Sequence, residues 1–494
     1  MTDRANRILA LSALTLTACS GQAMTAPSSP GIQVVSMPAA DTIDAVLATP
    51  LQIRVTDRSG APAPNAAVTF TAISVDPEYF FGGNVSEAPL GTSHTDFQAF
   101  TSVLAVQTDA AGIAAVVVRL SKAAPRAPIV ITALETDGGS AIDTITLVVL
   151  PGNPVGGHGV APNDTSIYTN GSVQLRAGAE DRYHNVIGGA ATFVAGPGVA
   201  VTSGGLVTAT TYGRSLVVAH SAAGVDTAHI SVVPMGTILA PNRVGSSSAL
   251  TLVNLDGSHY SEIPSLSVPH SAEPQFSPDG ASFTFSTYDE TSDISHDRIF
   301  VSDLQGHART LTPDSMFRKE AHSRYSADGS WIYFAGQDRV TIAFQLWRVH
   351  PDGTGLMKLP VSTTGRGFHP DPSPDGTKVA FDDEGSGIHV MDLVAGTESE
   401  WFVPGLVGRW SPDGQTLAVC ALNLQGLLLL DPATGARRQP TAGFGTFVEV
   451  EWSPDGAWLL ARGDLGLVLI NVGSGLHIPM PRWAQFLISP SWKR

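Results

Sequence analysis

A five-residue phrase returns through the second half of the chain. It reads FSPDG at 276–280, YSADG at 325–329, PSPDG at 372–376, and WSPDG at both 410–414 and 452–456. Taking the serine as marker, positions 277, 326, 373, 411 and 453 are separated by 49, 47, 38 and 42 residues. Proline presets the backbone angle at the second place of a turn, aspartate tolerates the next, and glycine accepts the left-handed conformation that folds two strands into a hairpin. Each phrase is therefore a turn, and a turn recurring at this interval has the period of a propeller blade.

The residues between the turns fill in the blade. A strand-like run follows each phrase (SFTFST from Ser282, WIYFAG from Trp331, KVAFDD from Lys378, TLAVCA from Thr416, WLLARG from Trp458), and a second run leads into a second turn, as in IHVMDLVAG from Ile388. The unit reads strand, turn, strand, loop, strand, turn, strand. The second run occurs a sixth time, as LTLVNLDG from Leu250, with GTILA at 236–240 ahead of it but no serine phrase. PSWKR at 490–494 stands where the next repeat would open. The missing inner strand of the first blade is thus expected from the C-terminus, which pairs two sheet edges that would otherwise be open. Six blades over 235–494 follow.

These repeats resemble those of the TolB-like propellers, including the Pro-x-Trp strand that closes the ring. The resemblance implies a fold far more than a function. TolB itself carries an α/β domain before its propeller and is a soluble periplasmic partner of a peptidoglycan-associated lipoprotein. No such domain is legible here, so its role is not carried over.

Arg4 and Arg7 precede an apolar stretch at 8–18 that is too short to span a bilayer and reads as the core of a secretory signal. It ends in Leu16-Thr17-Ala18-Cys19, which resembles the lipobox of bacterial lipoproteins. That resemblance implies removal of 1–18 and acylation of Cys19. Ser20, rather than aspartate, then points to the outer membrane. Residues 19–30 are small and polar and read as a flexible tether.

Short alternating strands fill 31–151 and 152–234. LQIRVTDRSGAPAPNAAVTFTA from Leu51 and VQTDAAGIAAVVVRL from Val106 are similar to invasin-type bacterial immunoglobulin-like domains, though the 76–100 insert is long for them. VTSGGLVTATTYGRSLVVAH from Val201 resembles a second bacterial immunoglobulin-like repeat. The chain as a whole is expected to be all-β, two immunoglobulin-like sandwiches followed by the propeller.

A net charge of −16 excludes a nucleic-acid backbone as partner, since binding one needs a basic surface. There is no GxSxG elbow, HExxH, CxxC, Walker loop or GxGxxG, and the reading places no hydrolase domain behind the ring. The second cysteine, Cys420, falls on an apolar strand and reads as a buried free thiol.

What remains is the channel. Four residues before each marker stand Glu273, His322, His369, Val407, Glu449 and Ser489; two before stand Gln275, Arg324, Asp371, Arg409, Glu451 and Ser491. Period two puts both sets on one side of the inner strands and the aromatics Phe276, Tyr325, Trp410, Trp452 and Trp492 on the other. Acidic loops at Asp289, Glu290 and Asp293, and at Asp382, Asp383 and Glu384, emerge at the same end of the ring. Glu273, His322, His369 and Glu449 are candidate ligands for a divalent cation, the one cofactor the sequence suggests. A mixed ring containing Arg324, Asp371, Arg409 and Glu451 suits a peptide or a partner's charged side chain equally well, and a merely wet polar channel is the third reading. His270, His296, His307, His350 and His389 stand singly and read as surface or satisfied histidines.

The sequence thus supports a lipid-anchored protein of the bacterial cell envelope that presents its propeller to another protein or an envelope component without catalysing a reaction. A metal-dependent propeller lyase or hydrolase and a surface adhesin using the sandwiches are the alternatives.

Overall fold

The computed structural model describes residues 31–36, 41–42, 49–57, 59–74, 90–91, 103–118, 129–135, 142–147, 149–150, 152–181, 184–244, 247–263, 271–287, 297–313, 316–339, 343–360, 366–383, 387–401, 405–421, 426–440, 445–464 and 466–493. The leader, Cys19, the tether, His270, the loop acids Asp289, Glu290, Asp293 and Glu384, His296 and nearly all of the 76–100 insert lie outside the described residues.

Six four-stranded antiparallel sheets make up the C-terminal half among the described residues. Blades two to six each run inside to outside in chain order, with inner strands Ser271–Phe276, Phe317–Tyr325, Phe368–Pro372, Gly405–Trp410 and Phe447–Trp452. Blade one is built from both ends of the propeller. Its inner strand is Ser491–Trp492, paired antiparallel with Thr237–Val244 through Ile238 opposite Trp492 and Leu239 opposite Ser491. The Lys493 N–H adds a bond to the Thr237 carbonyl at 2.9 Å. Gly236 lets the indole in, because a Cβ there would lie 2.3 Å from Trp492 Nε1. The closed ring is a six-bladed β-propeller.

The serine phrase works by local chemistry. In blade two the buried Ser277 hydroxyl donates to Asp279 Oδ1 at 2.6 Å and accepts the Ser282 N–H at 3.0 Å, while Asp279 Oδ1 also accepts the Ala281 N–H. Gly280 sits at φ +66°. The same serine-to-aspartate bond recurs at Ser326, Ser373, Ser411 and Ser453, between 2.5 and 2.6 Å. The turn thus supplies acceptors and donors for backbone that the hairpin would leave unpaired. Aromatics before the markers fill the space between blades, with Phe276, Tyr325, Trp410, Trp452 and Trp492 all buried, as the alternation predicts.

The N-terminal half is also β. Strands Gly31–Ser36, Leu51–Thr56, Ile113–Val118 and Leu90–Gly91 form one sheet; Val103–Gln107, Ala67–Ser74, Ile129–Glu135 and Ile142–Leu147 form another. Leu51, Ile53, Val55, Val68, Phe70, Val116 and Ile131 close a shared core between them. Arg54 on the opposite pleat of its strand is exposed. A second core, around Val207, Val217, Ala228 and Ile230, joins the sheet containing Gly213–Ser221 and Gly224–Val233 to that containing Leu206–Ala209. The immunoglobulin-like kinship of these sandwiches remains a resemblance carried by their sequence phrases.

The second sandwich is docked on the ring. Val233 joins the core cluster that holds Ile238, Trp458 and Trp492, and Tyr168 packs against it. The Tyr168 hydroxyl donates to the Gly236 carbonyl at 3.1 Å.

Candidate functional site

Strict alternation along the inner strands holds for one step from the marker and, in blades two to five, then fails. Residues two before the marker face the axis, but the register slips between Ala272 and Gln275, Ala321 and Arg324, Phe368 and Asp371, Leu406 and Gly408, and Phe447 and Glu449. In four blades the residue four before the marker has a left-handed backbone: Glu273 at φ 53°, His322 at 57°, His369 at 45° and Ser489 at 44°. The expectation of an unbroken period of two is therefore corrected in blades two to five, where a bulge, with its added bend and twist, lies at or beside the residue four before the marker; in blade six the bulge precedes Glu449 and the alternation from Glu449 to Glu451 holds. Left-handed backbone at a non-glycine residue costs about 1–3 kcal/mol, and such strain clusters at working sites.

The two axial sets form layers. In the deeper one, Arg324 Nη1 meets Glu451 Oε2 at 2.8 Å and its Nε lies 3.9 Å from Asp371 Oδ1. Three polar side chains of this layer tie one blade to the next: Gln275 Oε1 accepts the Tyr325 N–H, Asp371 Oδ2 the Trp410 N–H and Ser491 Oγ the Phe276 N–H. Burial lowers the basicity of Arg324, but Glu451 and Asp371 outweigh it and hold the guanidinium more firmly protonated than usual. Burial pushes Asp371 up despite Arg409 and Arg324. Arg409 is pushed down, by burial and then by Arg324, and its Nε and Nη1 have no acceptor among the described residues. These charges plug the channel. On the turn side of the axis a cavity of about 20 Å³ is bordered by Gln275, Asp371 and Trp452.

On the other side the channel opens into a mouth of about 130 Å³ lined by Glu273, His322, His369, Glu449, Arg462 and Ser489 among others. His322 Nδ1 and Glu273 Oε2 are 2.5 Å apart, and His369 Nδ1 and Asp382 Oδ2 are 2.7 Å apart. The two imidazoles lie side by side with ring centroids 3.8 Å apart. Burial acts to raise the Glu273 pKa, yet the charge and hydrogen bond of His322, with His369 and Arg409 behind, hold it at about 2. Burial, then repulsion from His322, lowers the pKa of His369 against the pull of Asp382 and Glu273.

Of the four candidate cation ligands, Glu273, His322 and His369 come together, each offering an atom within 4.8 Å of the others. Glu449 turns elsewhere. Its two oxygens accept the Ser489 N–H at 2.8 Å and hydroxyl at 2.7 Å, clipping blade six to the closing strand. Asp382 fell both in the strand-like run KVAFDD and among the loop acids in the sequence. It ends the strand Lys378–Asp382, fully buried against His369. Asp383 lies 3.6 Å from His389, which is buried and bonded through Nδ1 to Glu398 at 2.8 Å, so that histidine is satisfied in the blade rather than at the axis. His307 pairs with Asp303, and His350 stacks on Trp331. Cys420 is a buried free thiol whose ionisation burial disfavours.

No protein-family model and no curated protein matches the chain. Among solved structures it is similar to TolB from Acinetobacter baumannii, with 15% identity and a TM-score of 0.42 over 62% of this chain and 83% of that one. It is also similar to the hydrazine synthase of Kuenenia stuttgartiensis, with 12% identity and a TM-score of 0.42 over 53% of this chain and 47% of that one. The propeller itself rests on this chain's own strand pairing.

Proposed function

We propose that the chain is a non-catalytic, lipid-anchored protein of the bacterial cell envelope whose propeller binds a protein or an envelope component at the channel mouth. The observation that carries this is the asymmetry of the ring. One end is shut by paired charges and blade-to-blade bonds, while the other opens into a polar mouth that ends in exposed Val448, which borders the cavity beside Arg462. Convergent polar groups with one apolar residue at their edge suit a docked side chain or headgroup. The leader and Cys19 support the anchor. No helix of the described residues is long and apolar enough to cross a membrane.

The test is capture from envelope extracts by the full chain and by a Val448→Asp, Arg462→Glu double variant, both rim positions outside the plug. The wild type retains a component that the double variant loses. Equal capture by both, or none by either, removes the mouth from the binding role. The Glu273, His322 and His369 grouping favours a metal-dependent lyase or hydrolase as the second reading, which turnover of envelope polysaccharides or esters by the wild type would establish.

A further inference from the structure

Both histidines of the mouth have one ring nitrogen committed. Nδ1 of His322 faces Glu273, and Nδ1 of His369 faces the buried Asp382. On His369 the Asp382 carboxylate fixes the proton at Nδ1 and leaves Nε2 as a lone-pair donor, the arrangement in which metal-binding imidazoles are held, while the close pair of His322 Nδ1 and Glu273 Oε2 offers a nitrogen and an oxygen between which an ion can displace the proton. Both rings line the cavity. The three side chains come from three consecutive blades, and all three residues pay for their placement with left-handed backbone.

Charge points the same way. Around the mouth and plug, five carboxylates (Glu273, Asp371, Asp382, Glu449, Glu451) stand against three guanidinium groups (Arg324, Arg409, Arg462). That leaves two more carboxylates than guanidinium groups in a largely buried site, and burying unpaired charge is costly. One divalent cation cancels the excess.

We propose that Glu273, His322 and His369 bind one divalent transition-metal ion on the floor of the mouth, with Asp382 as the outer partner that orients His369. Two imidazole nitrogens and one carboxylate select zinc, cobalt or iron(II) over calcium and magnesium, which take oxygen ligands. Three protein ligands leave at least one coordination position facing the cavity. The site is independent of what docks on the rim, because none of its ligands is a rim residue.

The test uses the full chain, expressed with its own leader, stripped with chelator and titrated with Co²⁺ as the spectroscopic probe, then with Zn²⁺ in competition. One equivalent of Co²⁺ is expected, with visible ligand-field bands that Zn²⁺ removes. His369→Ala and Glu273→Gln each abolish the bands, and Asp382→Asn weakens binding by about 10–100-fold, the usual cost of losing an outer carboxylate. His322→Gln, which keeps side-chain size, guards against a folding artefact: metal-free circular dichroism like wild type with the bands gone supports the site. Wild-type Co²⁺ uptake below a tenth of an equivalent, unchanged binding in His369→Ala, or preference for Ca²⁺ over Co²⁺ overturns it. Loss of partner capture in the rim variant leaves these results untouched, so the two readings fail separately.

Discussion

The buried serine of each turn holds two strands through a single oxygen. Ser373 Oγ donates to Asp375 Oδ1 at 2.6 Å and accepts the Lys378 N–H at 2.9 Å. Ser373→Ala strands that N–H and is expected to cost about 1–2 kcal/mol at neutral pH, measured by urea unfolding. The hydroxyl, followed by the Thr377 N–H, also holds Asp375 at about 2 rather than 3.8. A carboxylate depressed in the folded state lends stability that is complete above its unfolded pKa and fades as pH falls toward the folded one. Asp279, Asp328 and Asp413 are lowered by the same bond, so the wild-type propeller loses stability between pH 4 and pH 2. In Ser373→Ala the Asp375 share of that loss shrinks, and the gap between variant and wild type narrows across the same interval. A gap that stays constant with pH would mean that the serine acts only through the backbone.

At the scale of the hairpin, the turns of neighbouring blades interlock. A Cβ on Gly329 would meet Pro278 at 3.6 Å, one on Gly414 would meet Pro374 at 3.5 Å, and one on Gly456 would meet Pro412 at 3.5 Å. Blade three has Ala327 where the others have proline, and the glycine facing that position, Gly376, has nothing within 4 Å. Ala327→Pro therefore fills a gap with a residue the turn already accepts elsewhere, and stiffens the unfolded chain; about 0.4–1 kcal/mol of added stability is expected. A lower urea midpoint would show that this turn differs from its sisters. Such equivalences are why the ring was legible: turn chemistry, strand pattern and the closing Trp492 are local signals that repeat. The bulges were not legible, because nothing in the identities of Glu273, His322 or Ser489 encodes left-handed backbone, which the register of the partner strand imposes. Glu449 was misgrouped for a related reason. Its partner is Ser489, 40 residues away and next door only once the ring has closed.

For the whole molecule the decisive contact is between the second sandwich and blades one and six. Arg214 Nη2 pairs with Asp164 at 2.8 Å, its Nη1 reaches Ser231 Oγ at 2.8 Å and the Pro479 carbonyl at 3.3 Å, and Asp164 Oδ2 accepts the Arg482 N–H. Tyr212 meets Trp458 edge-on with centroids 5.0 Å apart. Tyr168, its pKa pushed up to about 12 by burial and by Asp256, stays a neutral donor to Gly236. Gly236 and Trp458 lie where the serine turns emerge, so the sandwich holds the shut end of the ring and leaves the mouth at the opposite end clear. Only residues 234–236 join the two strands that flank this junction, too few for a free hinge to swing against such contacts. These contacts fix the direction the mouth faces relative to the sandwich beneath it. Tyr212→Ala with Arg214→Ala removes the exposed edge contact and the bridging cation but spares the Val233 and Trp492 core. Small-angle scattering of this variant is expected to show a broader distance distribution than wild type, and protease should cut faster at exposed Met235. The blades themselves should unfold at an unchanged urea midpoint, since the substitutions lie outside the ring. If the wild-type scattering already requires many relative orientations, the polar clamp does not hold in solution and the mouth has no fixed bearing.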